Sequence, residues 1–182
     1  MGIKNKISDG YMYFLTMTVV NWIDIFTRPV YKHIIIDSLQ YSINNKGLII
    51  SGWCLMSNHI HLLAEADEGF HLPDIIRDFK KFTNKAILKE IQDNPRESRK
   101  RWLLREFSSA GKALKKPQNF KFWQDGSEAK EIHTLPFLEQ KLRYIHNNPV
   151  KAEIVAEPHE YLYSSAIDYS GGKGLIDVAL IY

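Results

Sequence analysis

Two histidines separated by one bulky apolar residue, His59-Ile60-His61, open a stretch running to Glu65 with the composition of a β-strand. Side chains alternate faces along a strand, so both imidazoles project one way and Ile60 the other, with about 7 Å between the two. The backbone then fixes their spacing before any ion arrives, and two imidazoles so placed can share a divalent metal. The other reading is a surface strand whose outward positions happen to be histidine, so the pair needs partners from elsewhere in the chain. The rest of the sequence is arranged around this strand. Leu48 to Met56 reads as a second strand, joined to it by a short Ser57-Asn58 hairpin link.

Upstream, Tyr11 to Val20 mixes aromatic, aliphatic and Thr residues as a strand covered on both faces does. Thr27 as N-cap and Pro29 in the first turn then introduce a helix, on which Ile34, Ile35, Leu39 and Ile43 recur until Gly47. Leu72, Ile75, Ile76, Phe79, Ala86 and Ile87 give a second helix across the same sheet, ended by Pro95. Arg96 to Phe107 fits a short basic helix or an arm. Phe120 to Trp123 and Ala129 to Ile132 flank Asp125-Gly126, a hairpin turn signal, and one of these two segments completes a four-stranded sheet. The element order is β-α-β-β-α-β. Phe120, Phe122 and Trp123 could stack on bases, but strand aromatics are more often core.

Thr134 caps a last helix whose Leu135, Leu138, Leu142 and Ile145 form a stripe for docking on the sheet. Tyr144 and Asn148 lie off that stripe and, four residues apart, are neighbours on one face, placing a phenol beside an amide oxygen able to ligate a hard cation. Asn148-Pro149 also reads as a helix stop.

A chain of 182 residues, 45% hydrophobic, suits a single domain over 1–182, with a core at about 11–150 and a C-terminal extension at about 151–182. Cys54 is the only cysteine, which excludes an internal disulfide and fits a core residue in a reducing compartment. There is neither an apolar run of transmembrane length nor a hydrophobic signal segment, and the expected location is cytoplasmic, without membrane contact. The net charge of +3 hides a segregation: residues 77–121 hold 14 Lys and Arg against 5 Asp and Glu, leaving the remainder at −6. Arg77, Lys81, Lys85 and Lys89 form an i+4 row, with Lys80 beside it and Arg99-Lys100-Arg101 beyond. Such a cluster suits a nucleic-acid phosphate backbone.

His59-Ile60-His61 followed by Tyr144-Ile145-His146-Asn147-Asn148-Pro149-Val150 resembles the single-tyrosine HUH transposases of bacterial insertion sequences. Phe122-Trp123-Gln124-Asp125-Gly126 and Tyr163-Ser164-Ser165-Ala166 point within them to the REP-associated tyrosine transposase branch. The resemblance spans roughly Tyr11 to Tyr169. It departs at two places: Lys151-Ala152-Glu153 stands where basic-Ala-Gly is usual, and a tyrosine replaces the frequent histidine at the start of the first strand. What it implies is an α+β, ferredoxin-like sandwich: an antiparallel sheet with helices on one face, an extra basic helix or arm and a C-terminal catalytic helix. It further implies cleavage and rejoining of single-stranded or hairpin DNA through a 5′-phosphotyrosine, with Tyr144 as nucleophile and His59, His61 and Asn148 holding Mg²⁺ or Mn²⁺. Arg77, Lys80, Lys81, Lys85, Lys89, Arg99, Lys100 and Arg101 are the DNA-binding candidates. Tyr144 serves the histidines of its own chain or of a homodimer mate; the sequence leaves both open.

Two other classes remain at this point. A non-catalytic nucleic-acid-binding domain would use the same sheet and basic helices without needing His59, His61 or Tyr144. A zinc hydrolase would need further ligands, for which His133 and His146 are available.

Overall fold

The computed structural model describes residues 7, 10–126 and 128–181. Four strands, β1 (Tyr13–Thr18), β2 (Leu48–Leu55), β3 (His59–Ala66) and β4 (Glu128–Glu131), form one sheet in the order β2-β3-β1-β4, every neighbour antiparallel. Helix α1 (Pro29–Lys46) crosses between β1 and β2, and α2 (Leu72–Asp93) crosses from β3 toward β4. This is the split β-α-β-β-α-β arrangement of a ferredoxin-like sandwich.

Strand alternation divides the core. Tyr13, Leu15 and Met17 of β1 and Ile60, Leu62 and Ala64 of β3 face α1 and α2, where Ile35, Leu39, Ile75, Phe79 and Ile87 complete the larger cluster. Phe14 and Leu63 face the other way and meet Leu138, Leu142 and Ile145 of α4 (Leu135–Lys151). Burial of each such side chain contributes about 1.5–3 kcal/mol, so α4 is held firmly against the face opposite α1 and α2. Gly52 permits the approach: a Cβ there would lie 2.7 Å from Leu142 Cδ1. Leu135, expected on this docking stripe, is instead 56% exposed at the first position of the helix.

Local signals set most helix ends. Pro29 occupies the first turn of α1, but its N-cap is Arg28; Thr27 turns its hydroxyl back to donate to Asp24 O at 2.9 Å. Gly47 closes α1 at φ 66°, where a side chain would also collide with the Phe70 ring. Asn94 caps α2 just before Pro95. The basic segment is a helix, α3 (Lys100–Lys112), and the linker ahead of it is pinned by buried Glu97, which accepts from Tyr31 Oη at 2.8 Å and pairs with Arg28 at 3.2 Å.

The Asp125-Gly126 signal makes a bulge instead of a hairpin. Both flanking segments run along β1: Thr16 pairs with Glu128 and Val19 with Trp123, while Gln124 N donates to Thr18 O at 2.8 Å. Between these two pairs, two residues (17 and 18) oppose four (124–127), and the turn absorbs the excess. Phe122 and Trp123 are buried core residues.

Nor does Pro149 stop α4, which continues to Lys151. Its end is a Schellman closure, with Ile154 N bonded to Pro149 O and Glu153 N to Val150 O, each at 2.9 Å. Glu153 takes φ 56° there, the left-handed conformation that suits glycine.

Beyond α4 the chain returns to cover the outer edge of β2. Leu55 N donates to Tyr163 O, Ser165 N to Trp53 O and Ala179 N to Ile50 O. The side chains of Tyr161 and Tyr169 add bonds to Leu55 O and Ser51 O, and Tyr169 ends a last short helix, α5 (Ala166–Tyr169). Among the described residues no helix is long and apolar enough to cross a membrane.

Candidate active site

His59 and His61 project from β3 onto the α4 face, ring centroids 4.7 Å apart. His61 is buried and His59 half-buried. Burial, then the neighbouring His59 and Lys141, pushes the His61 pKa down to about 3, and burial lowers that of His59. Both rings are therefore neutral at physiological pH, the form that ligates metals.

A hydrogen bond fixes which nitrogen His59 presents. Asn58 Nδ2 donates to Trp22 O at 3.2 Å, so Asn58 Oδ1 faces His59 Nδ1, 2.6 Å away, and must accept from it. The lone pair of His59 is then on Nε2. Thr16 stands opposite His61 in the β1–β3 register, with Oγ1 2.9 Å from Nδ1. His61 Nε2 is buried with no hydrogen-bond partner, an arrangement that folding disfavours unless another group meets that nitrogen.

Tyr144 sits beside this pair in the same chain. Its ring centroid is 5.4 Å from that of His61, nearly edge-on, and 5.9 Å from that of Phe14, which in turn stacks under His61 at 5.3 Å. Tyr144 is 40% exposed, so a ligand can reach it. The ammonium groups of Lys141 and Lys151 each lie 5.7 Å from its ring centroid. One turn on, Asn148 is half-buried, and its Nδ2 is buried and unpartnered. Two imidazole nitrogens and the carboxamide oxygen of Asn148 are the kinds of ligand that suit a hard or borderline divalent ion with positions left for phosphate oxygens, whereas the unpartnered Asn148 Nδ2 is a hydrogen-bond donor.

No cluster of three His, Cys, Asp or Glu side chains able to hold a metal occurs among the described residues. His133 pairs with Glu131 at 3.2 Å, and His146 Nε2 lies 2.8 Å from Ser165 Oγ, so neither adds to a zinc site. Ser165 Oγ also accepts from Trp53 N at 2.9 Å and lies 3.3 Å from Trp53 O, so its contact with His146 ties α4 to β2. Thr16, Asn58 and Ser165 thus position the site, although only the alternation Thr16-x-Thr18 and the Asn58-His59 adjacency hinted at two of them in sequence.

The basic residues divide by their surroundings. Arg77 pairs with Asp74 and Asp78, and Lys89 with Asp93, so acids on their own helix already relieve the repulsion along the row. Lys81, Lys85 and Arg101 are exposed, and among the described residues none of the three forms an ion pair. Lys80 points inward, with Nζ donating to Gln124 O at 3.3 Å. Arg99 pairs with Asp24 at 2.7 Å, and Lys100 donates to Gln92 O at 2.8 Å.

In solved structures the chain is similar to the REP-associated tyrosine transposase bound to a REP hairpin, at 18% identity over 100% of this chain and 93% of that one, with a TM-score of 0.63. It also aligns with a Deinococcus radiodurans R1 protein whose transposase assignment is provisional, at 19% identity over 79% and 97% of the two chains, with a TM-score of 0.45. The first likeness shows the same α+β fold. Among curated proteins none matches. The family model "Transposase IS200 like" matches residues 8–106, more than half of the chain and a span that contains both histidines: the protein belongs to the IS200-like transposase family.

Proposed function

We propose that the protein cuts and rejoins single-stranded DNA beside a hairpin through a covalent bond to Tyr144, acting with the histidines of its own chain. The observation that carries this reading is the accessible phenol of Tyr144 next to two neutral imidazoles, one with a buried, unpartnered Nε2. Nε2 of His59, Nε2 of His61 and the Asn148 carboxamide would hold Mg²⁺ or Mn²⁺, which when bound draws charge from an oxygen of the scissile phosphate. Tyr144 Oη attacks phosphorus, the bond to the 3′ oxygen breaks, and the phenolic proton leaves while the departing oxygen gains one. A 5′-phosphotyrosine and a free 3′-hydroxyl result. The phosphodiester energy stays in the tyrosyl link, so a hydroxyl can later reverse the step without ATP. Phe14 holds the Tyr144 and His61 rings in place, and Lys141 and Lys151 bring positive charge to the phosphate. Support for hairpin DNA comes from the structural neighbour, which is bound to one, and from the exposed cations of α2 and α3.

The test is incubation of end-labelled hairpin DNA having single-stranded flanks with the protein and Mn²⁺, followed by denaturing electrophoresis. A protein–DNA adduct lost with EDTA and absent in Tyr144→Phe is expected, with peptide mass spectrometry locating the DNA on Tyr144. An adduct on another tyrosine overturns the assignment, and tight binding without an adduct favours a non-catalytic DNA-binding domain.

A further inference from the structure

Trp22 is a large aromatic residue held out in solvent at 62% exposure, and it is not there by default. It and Asn21 are consecutive non-glycine residues with positive φ, 55° and 54°, a conformation that bulky side chains avoid. The surroundings impose it: buried Val20 and Ile23 anchor either side, Val20 N donates to Phe122 O at 2.8 Å, and Trp22 O accepts from Asn58. That same Asn58 orients His59, whose ring centroid is 6.5 Å from the indole, nearly edge-on. Indole and candidate metal ligand are thus set by one side chain.

Beneath the indole, the bulge opposite β1 opens a cleft of about 220 Å³ lined by Thr16, Thr18, Trp22, Lys80, Gln124 and Glu128. Thr16 belongs to both cleft and site, since its hydroxyl bonds His61. The lining mixes donors with acceptors, including the Glu128 carboxylate. A phosphate subsite would offer donors alone, whereas the edge of a nucleobase presents both kinds of group. The volume suits one planar base and excludes a base pair.

From these features we infer that Trp22 and the bulge cleft form a subsite for one unpaired nucleobase, that of the nucleotide flanking the phosphate at His59 and His61. The base stacks on the indole while its edge meets Thr18, Gln124 and Glu128. Stacking on an aromatic side chain tolerates any base, so the subsite fixes the position of the scissile phosphate and demands single-stranded DNA there. The assignment rests on the proposed DNA-cleaving function.

The experiment uses fluorescein-labelled hairpin DNA with oligo-dT flanks, and the same DNA with each flanking nucleotide in turn replaced by an abasic one. Binding is read by anisotropy in EDTA, where no cleavage intervenes. One abasic position should weaken wild-type binding about tenfold. Trp22→Ala should bind intact DNA about tenfold more weakly and show no further loss at that position, whereas Trp22→Phe should keep most of the affinity. Unchanged melting temperatures would show both variants folded, as expected for an exposed residue. Additive losses, equal losses at every position, or wild-type binding by Trp22→Ala would each overturn the subsite. Cleavage with Mn²⁺ is scored separately. Coupling at one position without cleavage leaves the subsite standing and removes the proposed chemistry; cleavage without coupling does the reverse; no binding at all overturns both.

Discussion

Thr16 and His61 face each other across the β1–β3 pair, and the threonine hydroxyl lies 2.9 Å from His61 Nδ1. The contact holds the ring by Nδ1 and leaves the buried Nε2 without a hydrogen-bond partner. Thr16→Val keeps the shape and deletes the bond, leaving Nδ1 buried and unsatisfied at a cost of about 1–3 kcal/mol in stability. If His61 is a metal ligand, Mn²⁺ affinity should also fall about 10–100-fold, as when such an outer partner is removed, and Thr16→Ser should restore it. Mn²⁺ titration followed by electron paramagnetic resonance checks this; unchanged affinity in Thr16→Val would separate the threonine from metal binding.

Among the basic side chains of α2, Lys81 and Lys85 are exposed and form no ion pair among the described residues, whereas Arg77 and Lys89 are occupied by Asp74, Asp78 and Asp93. Replacing Lys81 and Lys85 by Gln should therefore flatten the salt dependence of DNA binding, by up to about 0.7 in slope for each single-strand phosphate no longer neutralised. The corresponding changes at Arg77 and Lys89 should do less. Anisotropy titrations over a range of salt concentrations measure both slopes, and equal effects of the two pairs would contradict the division.

Glu153 closes α4 in the left-handed conformation, at the position where basic-Ala-Gly would place its glycine. Glu153→Gly should raise stability by about 1 kcal/mol, since a side chain in that region is disfavoured by roughly 1–2 kcal/mol. Chemical denaturation would register the change as a higher midpoint with an unaltered slope.

Burial lowers the His146 pKa from 6.5 to about 4, and its Nε2 lies 2.8 Å from Ser165 Oγ. Between those values the unfolded chain binds a proton there and the folded chain does not, so the stability due to this group is present above pH 6.5 and lost as pH falls toward 4. The loss amounts to at most about 3 kcal/mol. His146→Gln should be less stable at neutral pH but lose less on acidification than the wild type. Parallel pH–stability curves for the two proteins would contradict it.

Features written in short-range pattern were legible from the sequence. Alternation placed His59 and His61 on one face, and helical spacing set Leu138, Leu142 and Ile145 beneath an exposed Tyr144. What failed had local chemistry with two outcomes. Asp-Gly serves a bulge as readily as a hairpin, and only the pairing of both flanks with β1 decides between them. Asn148-Pro149 looks like a helix stop, yet α4 runs on to Lys151 and closes only there, with Schellman bonds. Thr16 and Ser165 act across 45 and 19 residues of chain, a separation that no periodicity encodes.

The bond from Ser165 to His146 gives α4 an anchor that lies downstream of every residue in the proposed chemistry. A gene copy shortened before Ser165 would keep both histidines, the tyrosine and the asparagine while losing this anchor of the helix that carries the last two. Intact motifs would then overcount competent enzymes wherever copies of such genes decay from their ends.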